Sequence, residues 1–303
     1  MSLSGLMAGI DPLRSLPNGV MINLSVSVIQ RGASMFLFIV AAAMVALQPS
    51  EASANPDSAV ALAESRGLRI YRSYHIAAYA AAKGQAVLKD RVRETRGYVI
   101  TPSANDQLLT FVGQSDDGKP YAIWRGRYNG AEVEGALVAR ESDAAILSDD
   151  ERVAFKAERA ALDHLFSNQQ KLGPASCAGD VMPNVVVLPP TKADPTFAVY
   201  VMTPQIDEGV IPLGGHYRIA LDENSHVTSF RAMTEGCHDI DLFHDGRRLE
   251  ADYVSNRSDK YPNEIHVFAS LATNALIMVD TGQKPLWKVD KGKIRKDDTP
   301  LTR

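Results

Sequence analysis

The feature that most constrains this chain is a short apolar run near its N-terminus. Residues 35–47 are 13 uncharged and mostly apolar residues, and Arg31 precedes them. Small residues, Ala52-Ser53-Ala54, then stand directly before Asn55. A basic residue, a short apolar segment and a small-residue cleavage site are typical of a secretory signal peptide. The pattern therefore predicts that residues 1–54 are a signal peptide and that the mature protein, starting at Asn55, is periplasmic or secreted.

The apolar run is also too short for a stable membrane anchor. A helix that crosses a bilayer needs about 20 predominantly apolar residues. A transmembrane helix is the alternative interpretation, but the flanking residues fit cleavage better, so no stable anchor is expected after cleavage. The N-terminal part of this signal peptide is over-long, because 34 residues precede Met35, and Met21 would be a more usual first residue.

Cleavage after Ala54 would leave a mature chain of 303 − 54 = 249 residues. That length suits one large domain at 55–303, with two lobes at about 55–175 and 176–303 as the alternative. Residues 1–54 carry two basic and two acidic residues, so the mature chain keeps the net charge of −4. A mildly acidic chain has no general attraction for nucleic acid. We therefore expect no nucleic-acid partner, and instead an unknown protein or small-molecule partner in the cell envelope.

The chain has two cysteines, and both fall in the predicted mature part. In an exported protein, Cys177 and Cys237 most simply form one disulfide bond. Such a bond would close a loop of about 60 residues and stabilise the fold by roughly 4 kcal/mol in the chain-entropy model. Two buried thiols are the alternative, since cysteine is often buried for packing alone.

The first helical segment is predicted at about 57–83. Asn55-Pro56 is typical of a helix start, because an Asn side chain caps the first turn and Pro fits the first helical position. Apolar residues then recur at helical spacing up to Gly84. Gly67 lies inside this pattern and is expected to interrupt the helix.

The second helical segment is predicted at about 148–171. Ser148 and Glu151 have the spacing of a capping box, in which each side chain accepts from the other residue's backbone N–H. Gly173-Pro174 is the expected stop signal. Apolar residues cover most of this helix's circumference, which predicts that it lies deep against a sheet.

Most of the remaining regular structure is predicted to be short β-strands separated by turn residues. Asn129-Gly130 predicts a two-residue hairpin turn. No alternation of strands and helices is visible in the C-terminal half, so a parallel sheet is not expected. Together these elements predict an α+β fold in which antiparallel sheets pack against the two helical segments. The predicted strands are 108–112, 121–128, 131–139, 185–188, 197–202, 216–221, 227–233, 265–271, 276–279 and 286–289, and 239–263 is predicted to be irregular.

Histidines of the C-terminal half are the candidates for acid–base catalysis. His216 and Arg218 stand two residues apart in a predicted strand, so their side chains would face the same side. His266 stands at the entrance of another predicted strand. Together with His238 or His244 these residues could form an acid–base site, because imidazole titrates near neutral pH. Each of them alone is also a common structural or surface residue.

Residues 237–245 hold the densest set of potential metal ligands, with two histidines and three aspartates. His238, Asp241 and His244 carry donors that suit Zn²⁺ or another divalent ion. The spacing matches no established metal site, however, and a solvated loop with Asp residues in its turns explains the same composition. We therefore predict no metal site and no cofactor.

The mature sequence contains no nucleophile elbow, zinc-protease helix, dinucleotide fingerprint or calcium loop. These observations favour an exported, non-catalytic binding or interaction protein. One alternative is a hydrolase or metal-dependent enzyme that uses His and Asp residues between 216 and 266. Another is an inhibitor- or immunity-type protein, for which 239–263 is the candidate contact loop. Convergence of His216, His238, His244 and His266 in one pocket would favour the enzyme.

Overall fold

A computed structural model describes residues 55–297 of the chain, except 104–105, 131, 169–176, 178, 180, 182 and 235. The predicted signal peptide, 1–54, lies outside the described residues, and so does the predicted helix stop at Gly173-Pro174. Within the described part, helices combine with mainly antiparallel sheets. The predicted α+β class is therefore confirmed.

Three α-helices are described. They are α1 (Pro56–Leu88), α2 (Asp149–Ser167) and α3 (Glu264–Thr273), and short 3₁₀ turns follow α1 at Lys89–Glu94 and precede α2 at Asp143–Ala145. Both predicted helix starts are confirmed. Asn55 Oδ1 accepts a hydrogen bond from the Asp57 N–H at 3.2 Å. The capping box of α2 is complete, because Ser148 Oγ accepts from the Glu151 N–H and Glu151 Oε2 accepts from the Ser148 N–H.

The first sheet is an antiparallel meander in the order β1-β2-β3-β4. The Asn129-Gly130 hairpin is confirmed between β3 and β4, and Gly130 has a φ of 98°. The connection is nevertheless longer than two residues, because β3 ends at Tyr128 and its partner Val133 is the first residue of β4. The strands are β1 (Thr95–Ser103), which was not predicted, β2 (Asp106–Gln114), β3 (Pro120–Tyr128) and β4 (Val133–Leu137).

The second sheet is also antiparallel, and three of its four strands, β5, β6 and β8, are buried on both faces. Its order is β5-β6-β8-β9, and β7 pairs separately with β10. Side chains of β5 and β6 alternate between two hydrophobic cores, one beneath α2 and the other against α1 and α3. Burial on both faces explains why these strands are continuous apolar runs in the sequence. The elements are β5 (Asn184–Leu188), β6 (Phe197–Met202), β7 (Val210–Pro212), β8 (Tyr217–Leu221), β9 (Val227–Ala232) and β10 (Asp239–Asp241).

The third sheet corrects two predictions about the C-terminal half. Its order is β13-β14-β15-β16, and the pair β13–β14 is parallel, with α3 as the crossover between them. A parallel pair was not expected. The segment 239–263 is also not irregular throughout, because it contains β10, a small hairpin and β13. The new strands are β11 (Phe243–His244), β12 (Arg247–Arg248), β13 (Ala251–Ser255), β14 (Leu276–Asp280), β15 (Leu286–Asp290) and β16 (Lys293–Asp297).

The predicted strand 265–271 is wrong, because these residues lie in α3. Asn263 is the N-cap of this helix, and its Oδ1 accepts from the Ile265 N–H at 3.0 Å. Asn274 ends the helix with a left-handed φ of 52°. The first seven residues of α3 are all buried, so the helix has no polar stripe. A short apolar run without a polar stripe cannot be told from a buried strand by its periodicity.

The predicted interruption at Gly67 is also wrong, since α1 is continuous from Pro56 to Leu88. Gly67 instead lets α3 approach α1 closely. A Cβ atom built at this position would collide with the Val267 side chain and would lie 2.7 Å from the Glu264 carbonyl oxygen. The missing side chain is therefore a packing requirement at the crossing of the two helices.

A buried group of charged side chains joins α1 to its neighbours. Arg66 of α1 donates two hydrogen bonds to Asp194, from Nε to Oδ2 at 2.7 Å and from Nη2 to Oδ1 at 2.8 Å. Arg66 also lies 3.8 Å from Glu264 of α3, whose carboxylate accepts from the Tyr200 hydroxyl at 2.6 Å. All four side chains are buried. Removal of one member of such a group leaves an uncompensated buried charge, which typically costs about 3–5 kcal/mol.

The helices form layers between the sheets. The helix α2 covers one face of the first and second sheets. The helix α1 covers the opposite face of both sheets, and α3 covers that same face of the second sheet. The third sheet lies on the far side of α1 and α3. Both α1 and α2 therefore contact elements on each side of the 175/176 boundary of the two proposed lobes.

Glu158 is a buried carboxyl group on the side of α2 that was expected to be an apolar contact surface. Its side chain faces β1 and is 5% exposed. Its Oε1 lies 2.8 Å from the place where a Cβ at Gly97 would stand, so the glycine makes room for the carboxyl group. Burial raises the pKa of Glu158 to about 8, although the charge of Arg159 acts in the opposite direction. The carboxyl group is therefore protonated in the folded protein at neutral pH.

We expect Glu158 to make stability depend on pH. Its carboxyl titrates near its ordinary value of 4.5 in the unfolded chain and near 8 in the folded protein. The unfolded state thus loses this proton first as the pH rises. The free energy of unfolding should fall between about pH 4.5 and pH 8, by up to ~1.4 kcal/mol per pH unit, and Glu158→Gln should remove this part of the dependence. Urea unfolding at several pH values measures it.

The matched control is Asp163→Asn, which removes a carboxylate from the same helix where its side chain is 72% exposed. This variant should keep the wild-type pH profile. The prediction is contradicted if wild type and Glu158→Gln give parallel profiles between about pH 4.5 and pH 8.

We expect Gly67→Ala to destabilise the fold, even though Ala favours helices more than Gly does. The new methyl group collides with Val267, and overpacking of this kind costs about 1–3 kcal/mol. Ser65→Ala, on an exposed position of the same helix, is the control and should be neutral or mildly stabilising. Thermal unfolding of both variants is the measurement. A Gly67→Ala protein at least as stable as the Ser65→Ala protein would show that the helix crossing tolerates a side chain.

Candidate functional site

His216 lies in the interior, directly before β8, and is 1% exposed. Its Nδ1 accepts from the Thr203 N–H at 3.1 Å, and its Nε2 lies 3.0 Å from the Pro212 carbonyl oxygen. With Nδ1 as acceptor, Nε2 carries the ring proton and donates to Pro212. Burial lowers the pKa of His216 to about 4. The imidazole is therefore neutral near pH 7, and both of its nitrogens are used to hold backbone segments.

Arg218 is one of the buried residues of β8. It stands opposite Tyr200 in the register of β6 and β8. Burial raises the pKa of Tyr200, and the charges of Glu264 and Arg218 act on that hydroxyl in opposite directions. Arg218 therefore belongs to the surroundings of the buried charged group around Arg66 and Glu264. A stabilising role in that group accounts for its position.

His266 lies in the first turn of α3 and is fully buried. Its Nδ1 accepts from the Asn263 N–H at 3.1 Å, so the histidine takes the part that Glu or Gln plays in a common capping box. Burial lowers the pKa of His266 to about 4. The ring proton is then on Nε2, which has no hydrogen-bond partner among the described residues. The structure thus gives this histidine a clear role as a helix cap.

Asp259, close to His266, organises the loop that leads into α3. Arg231 Nη2 donates to both of its carboxylate oxygens, at 2.9 and 2.7 Å. The side-chain amides of Asn256 and Asn263 donate to the same Oδ2 at 3.1 and 2.8 Å. Every donor here comes from the protein itself, so the arrangement fixes the 256–263 loop against β9.

His238 and Asp252 form a partly exposed pair. His238 Nε2 lies 3.3 Å from Asp252 Oδ2, and the two side chains are 43% and 24% exposed. The hydrogen bond to Asp252 raises the pKa of His238 above its ordinary value, against the effect of burial. The pair links the segment after Cys237 to β13.

The other two metal candidates lie apart from this pair. His244 is on the exposed hairpin, where its nearest acidic partner is Asp245 at 3.6 Å, and Asp241 is exposed on β10. Within the described residues, no three His, Cys, Asp or Glu side chains are grouped closely enough to hold a metal ion. The geometry brings His238 to Asp252 and does not bring His238, Asp241 and His244 together. The absence of a metal site stays a prediction.

Two cavities of the described structure lie away from the histidines. The smaller, of about 230 Å³, lies between β1, the N-terminal half of α2 and strands β5 and β6. The larger, of about 470 Å³, is an open groove beside Tyr121 and Arg140 on the first sheet. Neither cavity is lined by a histidine. The four histidines therefore do not converge on either of these two cavities.

The segment 243–248 was predicted to be irregular but forms a projecting hairpin. Asp245 and Gly246 have φ values of 50° and 73°, the positive values that a tight two-residue hairpin turn requires. The dipeptide Asp-Gly is a strong sequence signal for such a turn, and it was available at positions 245–246. Phe243 is 55% exposed, and both strands of the hairpin are open to solvent.

The hairpin has a rigid base. The Leu249 N–H donates to the Leu242 carbonyl at 2.9 Å, and both leucines pack in or against the largest core. Arg248 Nη2 also donates to the Thr273 carbonyl at the end of α3, at 3.2 Å. The exposed aromatic ring is thus presented from a fixed position on the fold.

The predicted disulfide bond between Cys177 and Cys237 is confirmed, with a Cα–Cα distance of 5.6 Å. Gly214 and Gly215 make the approach of its two segments possible. A Cβ at Gly214 would lie 2.5 Å from Cys237 Cα, and one at Gly215 would lie 2.6 Å from Cys177 Sγ. The bond therefore fixes the start of the segment that carries His238 and the hairpin. A disulfide is compatible with a protein that matures outside the cytoplasm.

None of the helices in the described residues combines the length and apolar character needed to cross a membrane. Comparison of the chain with protein-family models, with curated proteins and with solved structures finds no match.

We expect loss of the disulfide to lower stability. Cys237→Ala opens a loop spanning 60 residues of sequence separation, which raises the entropy of the unfolded chain, so the free energy of unfolding should fall by roughly 2–4 kcal/mol. Guanidinium unfolding of the two proteins measures the difference. Cys177→Ala is the matched control and should have the same effect, because either change removes the same bond. An unfolding midpoint that stays at the wild-type value in both variants would refute this expectation.

Proposed function

We propose that this is an exported, non-catalytic binding protein whose main contact element is the hairpin 243–248. The observation that carries the proposal is the exposed Phe243 ring on a hairpin that is anchored at its base. Aromatic and arginine side chains are enriched at the centres of protein interfaces. The hairpin offers both kinds, since Arg247 and Arg248 follow the turn. The partner is then another protein of the cell envelope.

The surrounding structure supports this assignment. The disulfide and the His238–Asp252 pair hold the segment before and after the hairpin, so little ordering is needed when a partner binds. Preorganised contact elements gain affinity because they lose less conformational entropy on binding. The signal-peptide pattern at 31–54 supports a location in the periplasm or outside the cell, where the disulfide is stable.

An inhibitor- or immunity-type protein is the specific form of this function that the hairpin favours. Such proteins present a rigid projecting loop to their target. The enzyme alternative has less support, because His216 and His266 have low pKa values in the interior while His238 and His244 lie toward the surface. Catalysis by these four histidines would need a cleft in which the buried pair and the exposed pair lie close together.

Site-specific photo-crosslinking in the intact cell envelope tests the proposal. A photoreactive amino acid replaces Phe243 in one variant and Ile146 in the control. Ile146 is 67% exposed and lies near the first sheet, so both probes are accessible and apolar. We expect the probe at 243 to give a discrete covalent adduct with a second protein, because this side chain is at the contact element. The probe at 146 should give none.

A second variant separates binding from folding. Phe243→Ser should abolish capture of the crosslinked partner while the melting temperature stays unchanged, since the ring is largely in solvent. The proposal fails if the 243 probe gives no adduct, or if both probes give the same adducts. Retention of full partner binding by Phe243→Ser would also reject the hairpin as the contact element.

A further inference from the structure

We propose that a second copy of this chain pairs with β13 in antiparallel orientation, so that two third sheets join across a two-fold axis. This inference concerns a surface other than the hairpin and does not depend on the proposed function. The observation behind it is an open strand edge at β13. The hydrogen-bonding groups, charges and exposed side chains of this edge are compatible with those of the same edge in a second copy of the chain.

The direction of the backbone groups follows from the ladder between β13 and β14. The Leu276 N–H donates to the Glu250 carbonyl, and the Asn256 N–H donates to the Asp280 carbonyl. In a parallel pair, alternate residues of a strand turn both their N–H and C=O toward the neighbour. Asp252 and Val254 therefore bond to β14, and Ala251, Tyr253 and Ser255 turn their N–H and C=O outward.

This outward edge is open in the described part of the chain. β13 stands at the end of its sheet, and no backbone hydrogen bond joins Ala251, Tyr253 or Ser255 to a described residue beyond the ladder. The same three side chains are exposed, and Tyr253 is 56% exposed. An exposed strand edge is a template for pairing with another strand.

The opposite edge of the sheet is already blocked. On β16 the Ile294 N–H donates to Glu64 Oε1 of α1 at 2.8 Å, and Lys293 Nζ forms an ion pair with the same carboxylate. A strand added there would have to displace this carboxylate. Pairing through β13 is therefore closed after two copies and does not continue into a fibre.

Charge selects one register of the antiparallel pair. When Tyr253 stands opposite Tyr253 of the partner subunit, Asp252 faces Val254, and all outward groups of residues 251, 253 and 255 find partners. A register centred on Asp252 would place two carboxylates directly opposite each other, which is destabilising. A register centred on Val254 leaves Ala251 unpaired. The side chain of Asp252 is also held by His238 on the buried side of the strand, at 3.3 Å.

The exposed face of the sheet extends the contact. Tyr253 pairs in register with Met278, and Ala251 pairs with Leu276, so apolar side chains border the edge on the solvent face. The Tyr253 hydroxyl donates to Asp280 Oδ2 of β14 at 3.0 Å, so each ring is held toward its own sheet and the backbone ladder is the main contact across the axis. The short strand limits the area buried, so the dimer is expected to dissociate on dilution.

Engineered disulfide crosslinks test both the pairing and its register. In the oxidised full mature chain, Tyr253→Cys supplies the one free thiol, because Cys177 and Cys237 are bonded to each other. Directly opposed residues of a hydrogen-bonded antiparallel pair have Cα atoms about 5.5 Å apart, which a disulfide can bridge. We expect Tyr253→Cys to form covalent dimers, and Ser255→Cys alone to form none. A mixture of Ala251→Cys with Ser255→Cys should give the crosslinked heterodimer.

Sedimentation equilibrium from micromolar to millimolar protein gives an independent measurement. Wild type should show a concentration-dependent dimer. Tyr253→Pro should shift it to monomer, because proline removes an outward N–H and leaves the β13–β14 ladder intact. The mixed-variant crosslink keeps the test valid if either substitution at 253 fails to fold.

Three results on the self-pairing would overturn the proposal. They are a wild-type protein that stays monomeric at all concentrations, equal crosslinking of Tyr253→Cys and Ser255→Cys, and absence of the mixed crosslink. A Tyr253→Cys monomer whose introduced thiol instead crosslinks to a strand of a different protein would also reject it, in favour of strand addition by a foreign partner. None of these results bears on the Phe243 probe, so the two proposals fail separately.

Discussion

The buried hydrogen-bonded ion pair between Arg66 and Asp194 is the interaction on which the architecture most depends. It connects α1 to the loop between β5 and β6, and through Glu264 and Tyr200 it extends to α3 and the second sheet. Burial alone would raise the pKa of Asp194, but the hydrogen bonds from Arg66 outweigh it and hold this pKa below its ordinary value. The charges in the group compensate one another only when these elements are all in place. These buried charges therefore find their partners only when the central layer is correctly assembled.

The same central layer explains why the histidine candidates divide into two kinds. His216 and His266 sit where loops and a helix end meet the core, and each accepts a backbone N–H that would otherwise be buried without a partner. Their low pKa values follow from this burial. His238 and His244 are on the segment beyond the disulfide, outside the core. Residues that look alike in sequence therefore have different chemistry, because their distance from solvent differs.

The surface is correspondingly divided into rigid scaffold and contact elements. The disulfide, the glycine pair at 214–215 and the leucines at the hairpin base fix one projecting element, and the β13 edge lies next to it in sequence. One edge of the third sheet is covered by Glu64 and the other is open in the described residues. Because of this asymmetry, the β13 edge of the third sheet is more accessible to an added strand than the β16 edge. The proposed partner contact and the proposed self-contact both arise from the region 238–255.

Local sequence determined the features that depend on neighbouring residues. The caps at Asn55 and Ser148, the strand 197–202, the Asn129-Gly130 hairpin and the pairing of the two cysteines could all be predicted, and the Asp245-Gly246 turn carried a signal of the same kind. What could not be predicted depended on contacts distant in sequence. α3 has no polar stripe because it is surrounded by other elements, and Gly67 is needed because Val267 packs against it. The neutral Glu158 and the buried histidines likewise depend on which sheet covers them. Turn and cap chemistry acts over three or four residues and can be recognised in the chain. Burial, pKa and the exposure of a strand edge are decided by the folded assembly, because each depends on what the distant parts of the chain place beside that residue.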